Sequence, residues 1–172
     1  MRLGAALAGL AVLGSLIAAP TPAHAYCCLT VKYAVVDTDN CARLEGTLPV
    51  TRVTGGCMLY DSADDTFFET DAGGKAVKIE MYDSSGMVAK VEFHPNGEKL
   101  WVYDTRNDGD TVYVYLDYAN GATYGPFSAK GTDDVIDHEV FDFDWTEGNW
   151  YGVDVNDSAS VYDNIAYARG VA

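Results

Sequence analysis

The sequence predicts an all-β fold: a single-domain antiparallel β-sandwich, with a β-barrel as the alternative. Three observations predict it. After Ala25 there is no apolar helical period of useful length; short runs rich in Val, Tyr, Phe and Thr recur instead, each closed by a Gly or Asp turn. Nineteen of the 26 acids are Asp, whose short side chain bonds nearby backbone, so the chain is rich in tight reversals. The middle of the chain can also be paired strand by strand with all its oily side chains on one face. Strands at such spacing suit sheets packed face to face or closed into a barrel.

In chain order, residues 1–25 read as a cleaved export signal. Arg2 supplies the positive start, LGAALAGLAVLGSLIAA the apolar centre, and PTPAHA the A-x-A exit, with cleavage after Ala25. The expected product is a secreted, extracellular domain over 26–172, long enough for one core and without a linker or repeat. Export turns an even cysteine count into a disulfide framework. Adjacent cysteines bridge each other poorly, so Cys27 and Cys28 are each expected to pair with Cys41 or Cys57. Because neighbouring residues on a strand face opposite ways, one bridge would lie in the core and the other on the surface.

Expected strands run over 29–36, 47–53, 66–70, 76–82, 88–94, 99–104, 111–118, 138–145, 150–155 and 160–168. The turn DSSG joins 76–82 to 88–94, placing Val77 opposite Phe93, Ile79 opposite Val91 and Met81 opposite Ala89. The same register pairs Lys78 with Glu92 and Glu80 with Lys90 on the other face. PNGE closes the next hairpin, with Phe93 facing Leu100 and Val91 facing Val102. TRNDG is expected to close a third, with Val102 facing Val112 and Trp101 facing Tyr113, and DAGG to bring Phe68 opposite Val77. A one-residue slip in any hairpin would mix the two faces. The long stretch 119–137 is expected to be irregular and to carry the crossing between sheets.

The face holding Lys78, Glu80, Lys90 and Glu92 is expected to be at least partly wet. Trp101, Tyr103, Tyr113 and Tyr115 would continue it as an aromatic patch. Flat amphipathic rings on a rigid sheet suit a sugar face or a protein partner, which makes these four the candidate ligand-binding residues. The alternative use of the rings is cross-strand packing, or cover by 119–137. The formal net charge is −15, and Arg2 lies in the leader, so the exported domain is one unit more acidic. Such a surface repels phosphate backbones and anionic headgroups, which argues against nucleic acid and membrane partners.

No cofactor is required by any motif; calcium is the one the acidic loops suit. DTRNDGD offers Asp104, Asp108 and Asp110 as ligands, although it departs from an EF-hand at Arg106 and Tyr115 and also reads as a polar hairpin tip. DHEVFDFDW places His138, Asp142 and Asp144 on one strand face, the row a small hydrolase would use. It lacks the second histidine of a zinc protease helix, and the chain has no nucleophile elbow. NDSASV, from Asn156, is similar over six residues to the paired-acid calcium motif of the βγ-crystallin family, with Val161 where that motif has serine. Asn156-Asp157-Ser158 also fits an N-glycosylation acceptor. Together these features predict a secreted, non-catalytic binding protein for a glycan or an extracellular protein. A calcium-stabilised module and a secreted hydrolase are the alternatives.

Overall fold

The computed structural model describes residues 26, 28–106, 108–129, 136–160 and 162–172; the segment 1–25 expected to be an export signal and Cys27 lie outside them. The described residues form thirteen strands and no helix. They are β1 (Thr30–Asp37), β2 (Ala42–Gly46), β3 (Thr51–Val53), β4 (Gly56–Leu59), β5 (Thr66–Glu69), β6 (Lys75–Asp83) and β7 (Gly86–His94). There follow β8 (Lys99–Asp104), β9 (Tyr113–Tyr118), β10 (Thr123–Phe127), β11 (Asp137–Asp142), β12 (Trp150–Asn156) and β13 (Asn164–Val171). Every pairing is antiparallel.

Ten strands share one curled sheet, ordered β10-β9-β12-β13-β6-β7-β8-β11, with β1 also on β6 and β2 on β1. Among the described residues its two halves pair only at Val171–Lys75, and the sheet curls so that both contribute to one core. One half, β2-β1-β6-β7-β8-β11, is the first leaf; the other, β10-β9-β12-β13, is the second. Their inner faces build one core. Phe93 of the first leaf meets Tyr151 of the second at 3.8 Å between ring centroids, and Phe127 meets Phe141 at 4.6 Å. A separate three-stranded sheet, β3-β4-β5, lies over the outer face of the first leaf and closes a second, smaller core around Ala34, Val36, Leu59, Phe68 and Ala76.

The two central hairpins have the expected registers: Val77 faces Phe93, Lys78 faces Glu92, Glu80 faces Lys90, and Val91 faces Val102. The aliphatic face is the core, with Val77, Ile79, Met81, Val91, Phe93, Leu100, Val102, Val112, Val114 and Leu116 all buried. Two expected hairpins do not form. β8 pairs with β11 instead of β9, so Trp101 sits beside Val140 and Tyr113 beside Asn156. After Asp104 the chain crosses to the other leaf, where Val112 and Val114 fill the core from the opposite side. Phe68 does not face Val77 but Cys57, because β5 belongs to the small sheet.

Strands β2, β4 and β10 are additional to those expected. β4 opens on Gly56, and β10 carries Gly125-Pro126, a pair tolerated because β10 is an edge strand. There is one disulfide among the described residues rather than two. Cys41 bonds Cys57 with their Cα atoms 5.3 Å apart, while Cys28 is exposed and free. The reason is distance: Cys28 precedes β1 and Cys41 follows it, so roughly 23 Å of extended strand separates them. The bridge ties the β1–β2 turn to β4 across the second core, and closing its loop contributes about 3 kcal/mol.

Candidate functional site

The expected wet face of the first leaf is buried. Lys78 and Lys90 have no exposure, and Glu80 and Glu92 have 2 % each. An ammonium cannot lose its water without a replacement, so the chain brings acids to it. The segment between β4 and β5 supplies them. Asp61 Oδ2 lies 2.7 Å from Lys78 Nζ and 3.0 Å from Lys90 Nζ, while Asp64 Oδ1 also bonds Lys90. Asp61 is held for this by accepting the Ala63 amide at 2.7 Å in a tight Asx turn. Glu92 Oε1 sits 2.8 Å from Lys90 and accepts the Thr66 hydroxyl, and its Oε2 meets His94 Nε2 at 2.9 Å. Tyr82 and Tyr103 donate their hydroxyls to Glu80 and Asp64.

Burial alone would raise Asp61, but bonds from Lys78, the Ala63 amide and Lys90 more than reverse it, holding the carboxyl far below its usual range. Glu92 is lowered likewise: burial opposes, and His94 and Lys90 prevail. Asp61, Asp64 and Glu92 have oxygens all within 4.8 Å of one another, a group that could hold a metal ion. Lys90 Nζ already contacts all three, and so supplies the positive charge at that point.

These contacts decide the fate of the four candidate rings. Tyr103 is 3 % exposed, with Lys90 Nζ 4.1 Å from its ring centre, so it is part of the buried network and not a solvent-facing platform. Trp101 is half-buried, stacked on His138 at 5.7 Å, and lines a cleft of 230 Å³ with His94, Phe67 and Pro95. Tyr113 and Tyr115 lie on β9, in the other leaf, so the four do not form one patch. Of the stretch 119–137, residues Thr123–Phe127 form β10, which pairs with β9 in the other leaf and does not cover this face. His138, Asp142 and Asp144 are all exposed along the edge of the first leaf. Four residues of strand put His138 and Asp142 about 13 Å apart, too far for acid and base to share a reacting atom. Asp104, Asp108 and Asp110 do not converge as the Asp61 group does. Asp104 is nonetheless pushed up to about 6, by burial first and then by Asp108, Asp137 and Asp110.

Among the described residues, no strand packs over the outer face of the second leaf. The register puts Asp117 and Tyr115 of β9 beside Gly152 and Asp154 of β12, which in turn face Arg169 and Tyr167 of β13. At Gly152 a Cβ would stand 2.3 Å from the Tyr167 hydroxyl and 2.8 Å from its ring, so the ring lies across β12 where the glycine leaves room. Tyr167 is still 49 % exposed and Tyr162 is 78 % exposed. Tyr115 is fixed by donating its hydroxyl to the Ala159 carbonyl at 2.8 Å. Tyr115 and Tyr162 line an open cleft of 440 Å³ with Asp117, Thr123, Asp154, Ala159 and Ser160, and Tyr167 stands beside it, opposite Asp154 in the register. Asp117 Oδ1 accepts the Thr123 hydroxyl, and Asp154 Oδ1 accepts both Asn156 and Asn164 amides. The second oxygen of each carboxylate has no hydrogen bond among the described residues. Of the four candidate rings, Tyr115 alone lines this cleft. Tyr162 and Tyr167 were passed over; the signal for Tyr167 is alternation in β13, which sets Tyr167 and Arg169 on one face opposite a glycine. The chain matches no protein-family model, no curated protein and no solved structure.

Two outcomes follow from the buried network. Lys90→Met removes the ammonium shared by Asp61, Asp64 and Glu92, leaving only Lys78 on Asp61, and is expected to cost about 3–5 kcal/mol in denaturant unfolding. Stability also has an acid optimum. Lowered Asp61 and Glu92 give stability that is complete above about pH 4 and lost as pH falls through their folded values. Raised Asp104 acts the other way: its contribution is complete below about pH 4 and lost as pH rises through about 6. The melting temperature should therefore rise as pH is lowered from neutral to about 5 and fall below about 4. Asp104→Asn should shrink the neutral-to-acid rise; a melting temperature unchanged across that range would contradict the assignment.

Proposed function

We propose that this chain is a secreted, non-catalytic binding protein whose ligand is a glycan, received on the outer face of the second leaf. The observation that carries this reading is Tyr167 lying across β12 over Gly152, opposite Asp154 and beside a cleft lined by Tyr115, Tyr162 and two half-used carboxylates. Ring faces match the C–H faces of a sugar, and Asp117 and Asp154 can each accept a sugar hydroxyl. The ligand is uncharged on this reading, because the cleft is acidic and so is the domain as a whole. Two packed leaves with separate inner faces support the sandwich over a closed barrel. The signal-like leader and the disulfide support export.

A calcium-stabilised module is the second reading. It is favoured by Asp104, buried at 5 % exposure, with Asp108, Asp110 and Asp137 near enough to raise it. Millimolar calcium should then raise the melting temperature by several degrees and a chelator reverse it; no change would remove this reading.

The glycan reading is tested by titrating immobilised neutral glycans. Tyr167→Ala should weaken binding at least about tenfold, the scale of a lost aromatic anchor. Gly152→Ala should do nearly as much by displacing the ring, with the melting temperature little changed. Trp101→Ala should leave affinity alone. Loss of binding in Trp101→Ala with Tyr167→Ala unaffected would put the site on the wrong leaf.

A further inference from the structure

The outer face of the second leaf does not end at the tyrosine cleft. Trp150, two residues before Gly152 on β12, and Arg169, two after Tyr167 on β13, lie on the same face by alternation. The Arg169 guanidinium stacks 3.9 Å from the centre of the Trp150 ring. With Leu44 of β2, Val35 and Lys75 they line a second cleft, of 330 Å³. Leu44 is 46 % exposed, an apolar side chain left in water beside an indole. Between the two clefts stands Gly152, and the flat Tyr167 ring lies over it in the place a side chain would take. Asp154 and Trp150, one in each cleft, are four residues apart on the same strand, about 13 Å. That separation is more than one sugar ring spans and less than a short oligosaccharide does.

We propose that the two clefts are successive subsites of one groove, and that the ligand is a linear, uncharged polysaccharide bound along its chain instead of by its end. This rests on the glycan reading and extends it. Tyr115, Tyr162 and Tyr167 hold one stretch of the chain. Trp150, presented by the stacked Arg169, holds the next, and Leu44 borders it. Charge favours this occupant over an acidic polymer: Asp117 and Asp154 stand at one end of the groove, and its cations, Arg169 and Lys75, are confined to the other, where Glu45 stands with them. An acidic chain running through both would be repelled along half its length.

The test is calorimetric titration with cello-, xylo- and manno-oligosaccharides of one to six units. For at least one series, affinity should climb about tenfold or more between two units and five and then level off. Arg169→Ala, an exposed change, and Trp150→Ala should erase that gain while leaving the two-unit ligand bound as before; Tyr167→Ala should weaken every length. Circular dichroism melting separates misfolding from lost contact, and Arg169→Ala carries the test if Trp150→Ala does not fold. Affinity independent of length, or a full length effect in both variants, overturns the groove while leaving a single glycan site standing. Absence of binding at every length in all three series removes the glycan reading, and the groove with it.

Discussion

Two lysines on the sheet decide how this molecule is built. Lys78 and Lys90 sit on adjacent strands with their ammonium groups out of water, a state tolerated only when acids supply what water would have supplied. Glu80 and Glu92 are their strand neighbours, but the shared partner, Asp61, comes from the segment between β4 and β5. Satisfying the lysines therefore requires that segment to lie on the sheet, and it holds the small sheet there. The Cys41–Cys57 bridge fastens the same layer from its other side. Replacing such a network with well-packed apolar groups often stabilises a protein, so its worth here lies in fixing which layer covers which face.

The consequence for function is an asymmetry between leaves. The first leaf is sandwiched between the core and the capping layer, and its aromatic residues are absorbed into packing: Tyr103 under Asp64 and Lys90, Trp101 between His94 and His138. The second leaf has the core on one side and solvent on the other. Its outer face is where flat rings, carboxylates and a missing side chain coincide, and the acids there take only part of their bonding capacity from the protein.

The central registers were legible because alternation and charge agree. Val77, Ile79 and Met81 alternate with Lys78 and Glu80; a one-residue slip in either hairpin would have mixed the faces, and a two-residue slip in the first would have set Lys78 against Lys90 or Glu80 against Glu92. What alternation cannot say is whether a charged face meets water or a second layer. Lys78 beside Glu92 reads the same in both cases, and the deciding residue, Asp61, is seventeen positions away with nothing local to connect it. The third hairpin failed for a related reason: consecutive strands are neighbours only about two-thirds of the time, and the turn after Asp104 crosses between leaves. Of the site, Tyr115 was found through its strand, whereas Tyr167 acquires its meaning from Gly152, two strands' alternation brought together by a pairing that no local pattern specifies.

The most direct measurement is a two-dimensional NMR titration of the folded domain, with tyrosine rings and tryptophan indoles labelled, using the neutral oligosaccharide that binds most tightly. The perturbed signals are expected to belong to Tyr115, Tyr162, Tyr167 and the Trp150 indole, with Tyr103 and the Trp101 indole unmoved. Perturbation confined to Trp101 and Tyr103 would contradict it, because the capped leaf would then be the one that recognises the ligand.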